Sequence, residues 1–238
     1  MKKIITFSLL FFLSVFELGA QKAINDFQVW ENIYLEKNLS KKFVAHFNHE
    51  GRITENATQF RYAYADFGVT WKFKKAVRFS ADYVLLFKKT FNNENTGLTN
   101  SIRHQFYVTA TFRKKLHKIF LSDRNMLQWE WDDIGTSVNG LVPQLYYRNK
   151  LTAKYDLGNL APYFAVEQYY SFIYYDKYGH QFDRGRYYAG LFYQLNAVNE
   201  LEGYFMMERH YDVNHPQVNW VVGFGFSHAF YGGLMGKW

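Results

Sequence analysis

The chain has 238 residues, of which 24 are Phe, 20 Tyr and 6 Trp, with 21% charged residues and a formal net charge of +7. A bundle of membrane helices is excluded, because beyond the N-terminus no stretch approaches the ~20 apolar residues a spanning helix needs. The aromatic content and only 3 Pro exclude a disordered chain, and zero Cys excludes disulfide staples, thiolate chemistry and a lipid-modified N-terminal cysteine.

Met1 to Ala20 reads as a signal peptide: Lys2 and Lys3 form the charged start, Ile4 to Phe16 the apolar stretch, and Leu18-Gly19-Ala20 the cleavage site. Its removal takes away two Lys and one Glu and leaves a mature charge of +6 on a single domain, residues 21–238. Export sets nucleic acid aside as a partner. The excess of cations points instead to lipopolysaccharide phosphates or anionic headgroups, or simply to Lys-rich turns kept soluble.

From there on, apolar and polar residues alternate almost to the end. Eleven segments carry the pattern, near 27–36, 42–52, 60–73, 76–88, 101–113, 118–131, 142–155, 160–174, 184–196, 199–211 and 217–230. In Ile102 to Arg113, Ile102, His104, Phe106, Val108, Ala110 and Phe112 share one face, and Arg103, Gln105, Tyr107, Thr109, Thr111 and Arg113 share the other, as successive strand side chains must. Near the C-terminus Trp220, Phe224, Phe226 and Phe230 oppose Gly223, Gly225 and Ser227. Most runs reach the length of a tilted bilayer-spanning strand, beyond the ~5–6 residues usual in globular sheets. Short connections such as Lys74-Lys75 and Ala197-Val198 alternate with longer ones such as Lys89 to Asn100 and Asp132 to Leu141. That is the rhythm of a transmembrane antiparallel up-and-down β-barrel, all-β in class.

Parity then selects a strand count. With the last strand ending in the periplasm, Phe27 to Glu36 would begin outside the cell, and single-chain barrels normally have even counts. Ten spanning strands from 42 to 230 are therefore expected, with Phe27 to Glu36 as a lumenal or rim segment; twelve would follow if two segments are merged. Aromatics cluster near the strand ends, with Trp71, Phe73, Phe79, Phe112, Tyr155, Tyr193 and Phe230 on the turn side. Phe60, Phe87, Trp129, Trp131 and Trp220 lie on the loop side, so that two interfacial girdles are expected.

Phe27-Gln28-Val29-Trp30, Arg148-Asn149-Lys150-Leu151, Ala161-Pro162-Tyr163-Phe164 followed by Glu167, and the closing glycine-aromatic strand together resemble the bacterial outer-membrane family catalogued as domain of unknown function 2490. The resemblance spans roughly Phe27 to Phe230. It implies an outer-membrane barrel with no established activity and supplies no catalytic residues. The tail Tyr231 to Trp238 departs from the pattern, so that either Phe230 or Trp238 would be the terminal aromatic.

The inward phase collects charges of both signs. The expected lumen-lining residues are Asp66, Arg78, Asp82, Arg103, Tyr107, Arg113, Glu130, Arg148, Glu167, Arg186, Glu202 and Glu208, with Glu50, Arg124 and Lys150 beside them. In a barrel this narrow they should largely fill the interior, leaving at most a path for a small polar solute. For a lipid hydrolase, Ser227 and His228 are adjacent but face opposite ways, and no catalytic residue is assigned. His46, Asn48 and Glu50 share a face and read as an inward polar stripe, so neither a metal nor a cofactor is assigned. Gly223 and Gly225 read as relief of crowding where the barrel closes. A narrow channel or envelope interaction protein is the expected function, and an outer-membrane lipid hydrolase or lipid-modifying enzyme the alternative.

Overall fold

The computed structural model describes residues 24–91, 98–131, 144–172, 181–211 and 217–230. The expected signal peptide, Met1 to Ala20, and the tail Tyr231 to Trp238 lie outside them. Eleven strands make up nearly all of the described chain: β1 (Ile24–Asn38), β2 (Phe43–Thr54), β3 (Gln59–Lys74), β4 (Val77–Phe91), β5 (Leu98–Leu116), β6 (Ile119–Trp131), β7 (Gln144–Tyr155), β8 (Leu160–Ser171), β9 (Gln181–Gln194), β10 (Asn199–His210) and β11 (Gln217–Phe230). Their alternating pattern holds them, and local turn chemistry ends some of them. The Ser40 hydroxyl accepts the Lys42 and Phe43 amides between β1 and β2, and the Asn196 side-chain oxygen accepts the Val198 and Asn199 amides between β9 and β10.

Neighbours in sequence pair antiparallel from β1 to β11, and the sheet closes on itself through β1 and β11. That closing pair is parallel, in register from Ile24 opposite Gln217 to Lys37 opposite Phe230. The expectation of ten strands with Phe27 to Glu36 at the rim is thereby corrected. This segment is a full wall strand, and the barrel is not antiparallel throughout. Antiparallel alternation around a ring needs an even number of members, so an odd number closes only through one parallel contact. As a result β1 starts at the end that carries the longer loops, while β11 finishes at the end that carries the short turns.

Following paired positions once around the wall from Asn38 returns the path to β1 near Ile24, a stagger of about 14 residues. With a rise of about 3.3 Å per residue and strands about 4.8 Å apart, this stagger tilts the strands by roughly 40° and makes the wall roughly 22 Å across.

The two surfaces of the wall are inverted relative to a soluble protein. Outside, Phe67, Phe87, Leu151, Phe164 and Phe224 stand exposed, Phe164 by 71% and Phe224 by 58%. Inside, Gln28, Glu36, Asp66, Asp82, Gln105, Gln128, Glu167, Arg186, Glu208 and Asn219 are buried. Trp71, Phe73 and Phe79 pack together at the turn end, with ring centroids 5.0–6.0 Å apart. A few polar groups also face outward, and they satisfy one another. Asp123 accepts the Asn125 and Asn149 amides and Tyr147 donates to Asn125, while His49 lies 3.1 Å from Glu31.

Candidate functional site

Inside the barrel an apolar cluster of Trp30, Met206 and Val221, joined by Tyr188 and Tyr204, sits against β1, β10 and β11. Gly223 makes this packing feasible, because the ring of Tyr204, its cross-strand partner, occupies the space a Cβ would take. The expected relief of crowding next to the closing pair is thus given to the Tyr204 ring at Gly223 and, less tightly, to Glu202 at Gly225.

Toward the loop end the lumen is not filled. A cavity of about 740 Å³ opens there, lined by residues from β1 to β11. The expectation of a largely filled interior holds for the apolar cluster and the side chains packed below it, and gives way to a chamber above. A stack of rings and guanidinium groups lines the chamber. The Arg52 guanidinium lies 3.7 Å from the centroid of the Trp30 ring and 4.5 Å from that of Tyr64, and Arg186 approaches Trp30 at 5.2 Å. Tyr169 is ringed by three cations, Arg148 at 4.4 Å, Arg184 at 4.9 Å and Arg186 at 5.0 Å, and its hydroxyl is a buried group with no partner among the described residues.

The charges are knitted across strands. Glu167 accepts Arg124 at 2.7 Å, Arg148 at 2.9 Å and the Tyr188 hydroxyl at 3.2 Å. Arg186 donates to Glu208 at 2.6 Å, and Glu208 also takes the Asn219 amide at 2.8 Å. Arg103 donates to Glu130 at 2.8 Å, and Arg52 to Glu50 at 2.6 Å. Buried carboxylates persist because each meets guanidinium, hydroxyl or amide donors in place of water.

Of the residues singled out from the sequence, Asp66, Arg103, Tyr107, Glu130, Arg148, Arg186 and Glu208 line the chamber. Glu167 lies at 1% exposure among its arginines, Asp82 is buried against His46 and Ser80, and Glu202 accepts the Tyr163 hydroxyl. Arg78 shares the face of Asp82 on β4, and Arg113 shares the face of Gln105 on β5. Arg52, Arg184 and Asn219 line the chamber but were not singled out, although parity with Glu50, Arg186 and Val221 assigns them the same face.

The stripe His46, Asn48, Glu50 separates by partner. Asn48 takes the Asn32 amide, Glu50 takes Arg52, and His46 turns to Asp82 at 2.5 Å. His46, Asp66 and Asp82 each bring a potential ligand atom within 4.8 Å of the others. Three further histidines are engaged elsewhere: His104 with Tyr83, His210 with Glu208, and His228 with Asn199 on the face opposite Ser227.

Over residues 27–219 the chain matches the family described as "Protein of unknown function (DUF2490)". No curated protein matches it.

Proposed function

The chain belongs to the DUF2490 family, and from that premise we propose that it spans the outer membrane of a Gram-negative bacterium as an eleven-stranded barrel enclosing a blind polar chamber. One observation carries this reading: a barrel whose buried charged groups line the lumen and whose exposed outer wall is rich in Phe and Leu is stable only where the outside is hydrocarbon. Strand length agrees. At the inferred tilt, the 12 residues of the shortest strands rise about 30 Å, the thickness of a bilayer core. The self-satisfied outward cluster at Asp123 fits too, since in hydrocarbon every polar group needs a protein partner.

The chamber is a binding vestibule and not an open pore. The packed cluster of Trp30, Tyr188, Tyr204, Met206 and Val221 supports a closed floor, and the chamber's balanced lining of arginines, carboxylates and tyrosines suits a small polar solute or the headgroup of an envelope lipid such as lipopolysaccharide. In planar bilayers the purified protein is expected to be silent. Replacing Trp30 and Tyr204 together by Ala should open a steady conductance. Steady current through the unaltered chain would overturn the blind-chamber reading, and a soluble chain that does not change its gel migration on heating would overturn the membrane reading.

A further inference from the structure

We propose that His46, Asp66 and Asp82 form a divalent transition-metal site beside the floor of the chamber. The three residues come from successive strands: His46 from β2, Asp66 from β3 and Asp82 from β4. One donor atom of each lies within 4.8 Å of the other two, so that small side-chain shifts bring all three onto a single ion with bonds near 2.0–2.2 Å.

The surroundings orient both carboxylates toward a common point. The Ser80 hydroxyl holds Asp82 Oδ2 at 2.6 Å, leaving Asp82 Oδ1 facing His46 Nε2. The Tyr107 hydroxyl holds Asp66 Oδ2. Hydrogen bonds of this kind to the outer oxygen of a ligating carboxylate are the usual support of a metal centre. A Cβ at Gly68 would run into both Asp82 Oδ1 and His46 Nε2, so the glycine provides the space in which they meet. The Tyr34 ring stacks over His46, with centroids 5.9 Å apart.

The independent sign of a missing ligand is what remains unsatisfied. Asp66 is 7% exposed, and its Oδ1 is buried with no hydrogen-bond partner among the described residues. Buried polar atoms without partners are uncommon. One within this cluster, beside a second carboxylate and an imidazole, marks a place for a cation. Asp66 also lines the chamber, which provides the entry path and room for a further ligand. A mixed set of one imidazole and two carboxylates suits Zn²⁺, Mn²⁺ or Fe²⁺, whereas Ca²⁺ prefers six or more oxygens. The site depends only on the barrel interior and not on what surrounds the barrel.

The test is calorimetric titration of Zn²⁺ into the chelator-treated, folded full-length protein in detergent, with Asp66→Asn and Tyr107→Phe alongside. A single saturable site is expected, abolished by Asp66→Asn and weakened roughly 10–100-fold by Tyr107→Phe, which removes only the supporting hydroxyl. Retention of the barrel's heat-shifted migration by each variant separates loss of ligation from loss of fold. Absence of saturable binding, equal affinity in Asp66→Asn, or Ca²⁺ binding as tight as Zn²⁺ would each overturn the assignment.

Discussion

Glu167 concentrates the residue-scale energetics of the lumen. It is 1% exposed and meets Arg124, Arg148 and Arg186. Neutralising it leaves three guanidinium groups sharing what remains, and breaking such a buried arrangement costs about 3–5 kcal/mol. Glu167→Gln is accordingly expected to lower the barrel's unfolding free energy by about that amount in urea titrations followed in detergent; an unchanged midpoint would mean the network is dispensable. Gly223 offers a test of opposite character. Adding a methyl there forces the Tyr204 ring to move, an overpacking expected to cost about 1–3 kcal/mol. Combining Gly223→Ala with Tyr204→Ala should cost less than the sum of the two, because the second change vacates the space the first one needs.

The strands were largely legible from period-two alternation, since a single face decides each residue's environment: Ile102 to Arg113 falls within β5 with its faces as read. Phe27 to Glu36 alternate as a strand should and form part of β1, so the residues here outweigh the general tendency of barrels to even strand counts. A parallel closing pair is a property of the ring and leaves no mark in either strand's own sequence. Cross-strand chemistry was hidden for a related reason. Parity reveals which residues face the lumen but not how far the stagger displaces them, so His46 meeting Asp82, 36 positions away, could not be anticipated. The parallel pair makes an element-scale prediction. Epitopes placed immediately before Ile24 and immediately after Phe230 should lie on opposite faces of the membrane, one cleaved by protease added outside intact cells and the other protected. Cleavage of both from the same side would contradict the closure through β1 and β11.

At the scale of the whole molecule, the aromatic content noted at the outset divides by location. Phe dominates the aromatics of the exposed outer wall, Tyr64, Tyr107, Tyr146 and Tyr169 face the chamber, and Trp30 caps the apolar cluster beneath it. The central claim is that this outer wall faces hydrocarbon. The chain contains no native cysteine, so nitroxide labels can be placed singly at consecutive positions from Phe79 to Phe87 on β4 in bilayer-reconstituted protein, and their collision rates with dissolved oxygen and with a water-soluble nickel chelate measured. The account predicts period-two alternation, with labels at Phe79, Ala81, Tyr83, Leu85 and Phe87 open to oxygen and shielded from the chelate. Free access of the chelate to those five positions would contradict it.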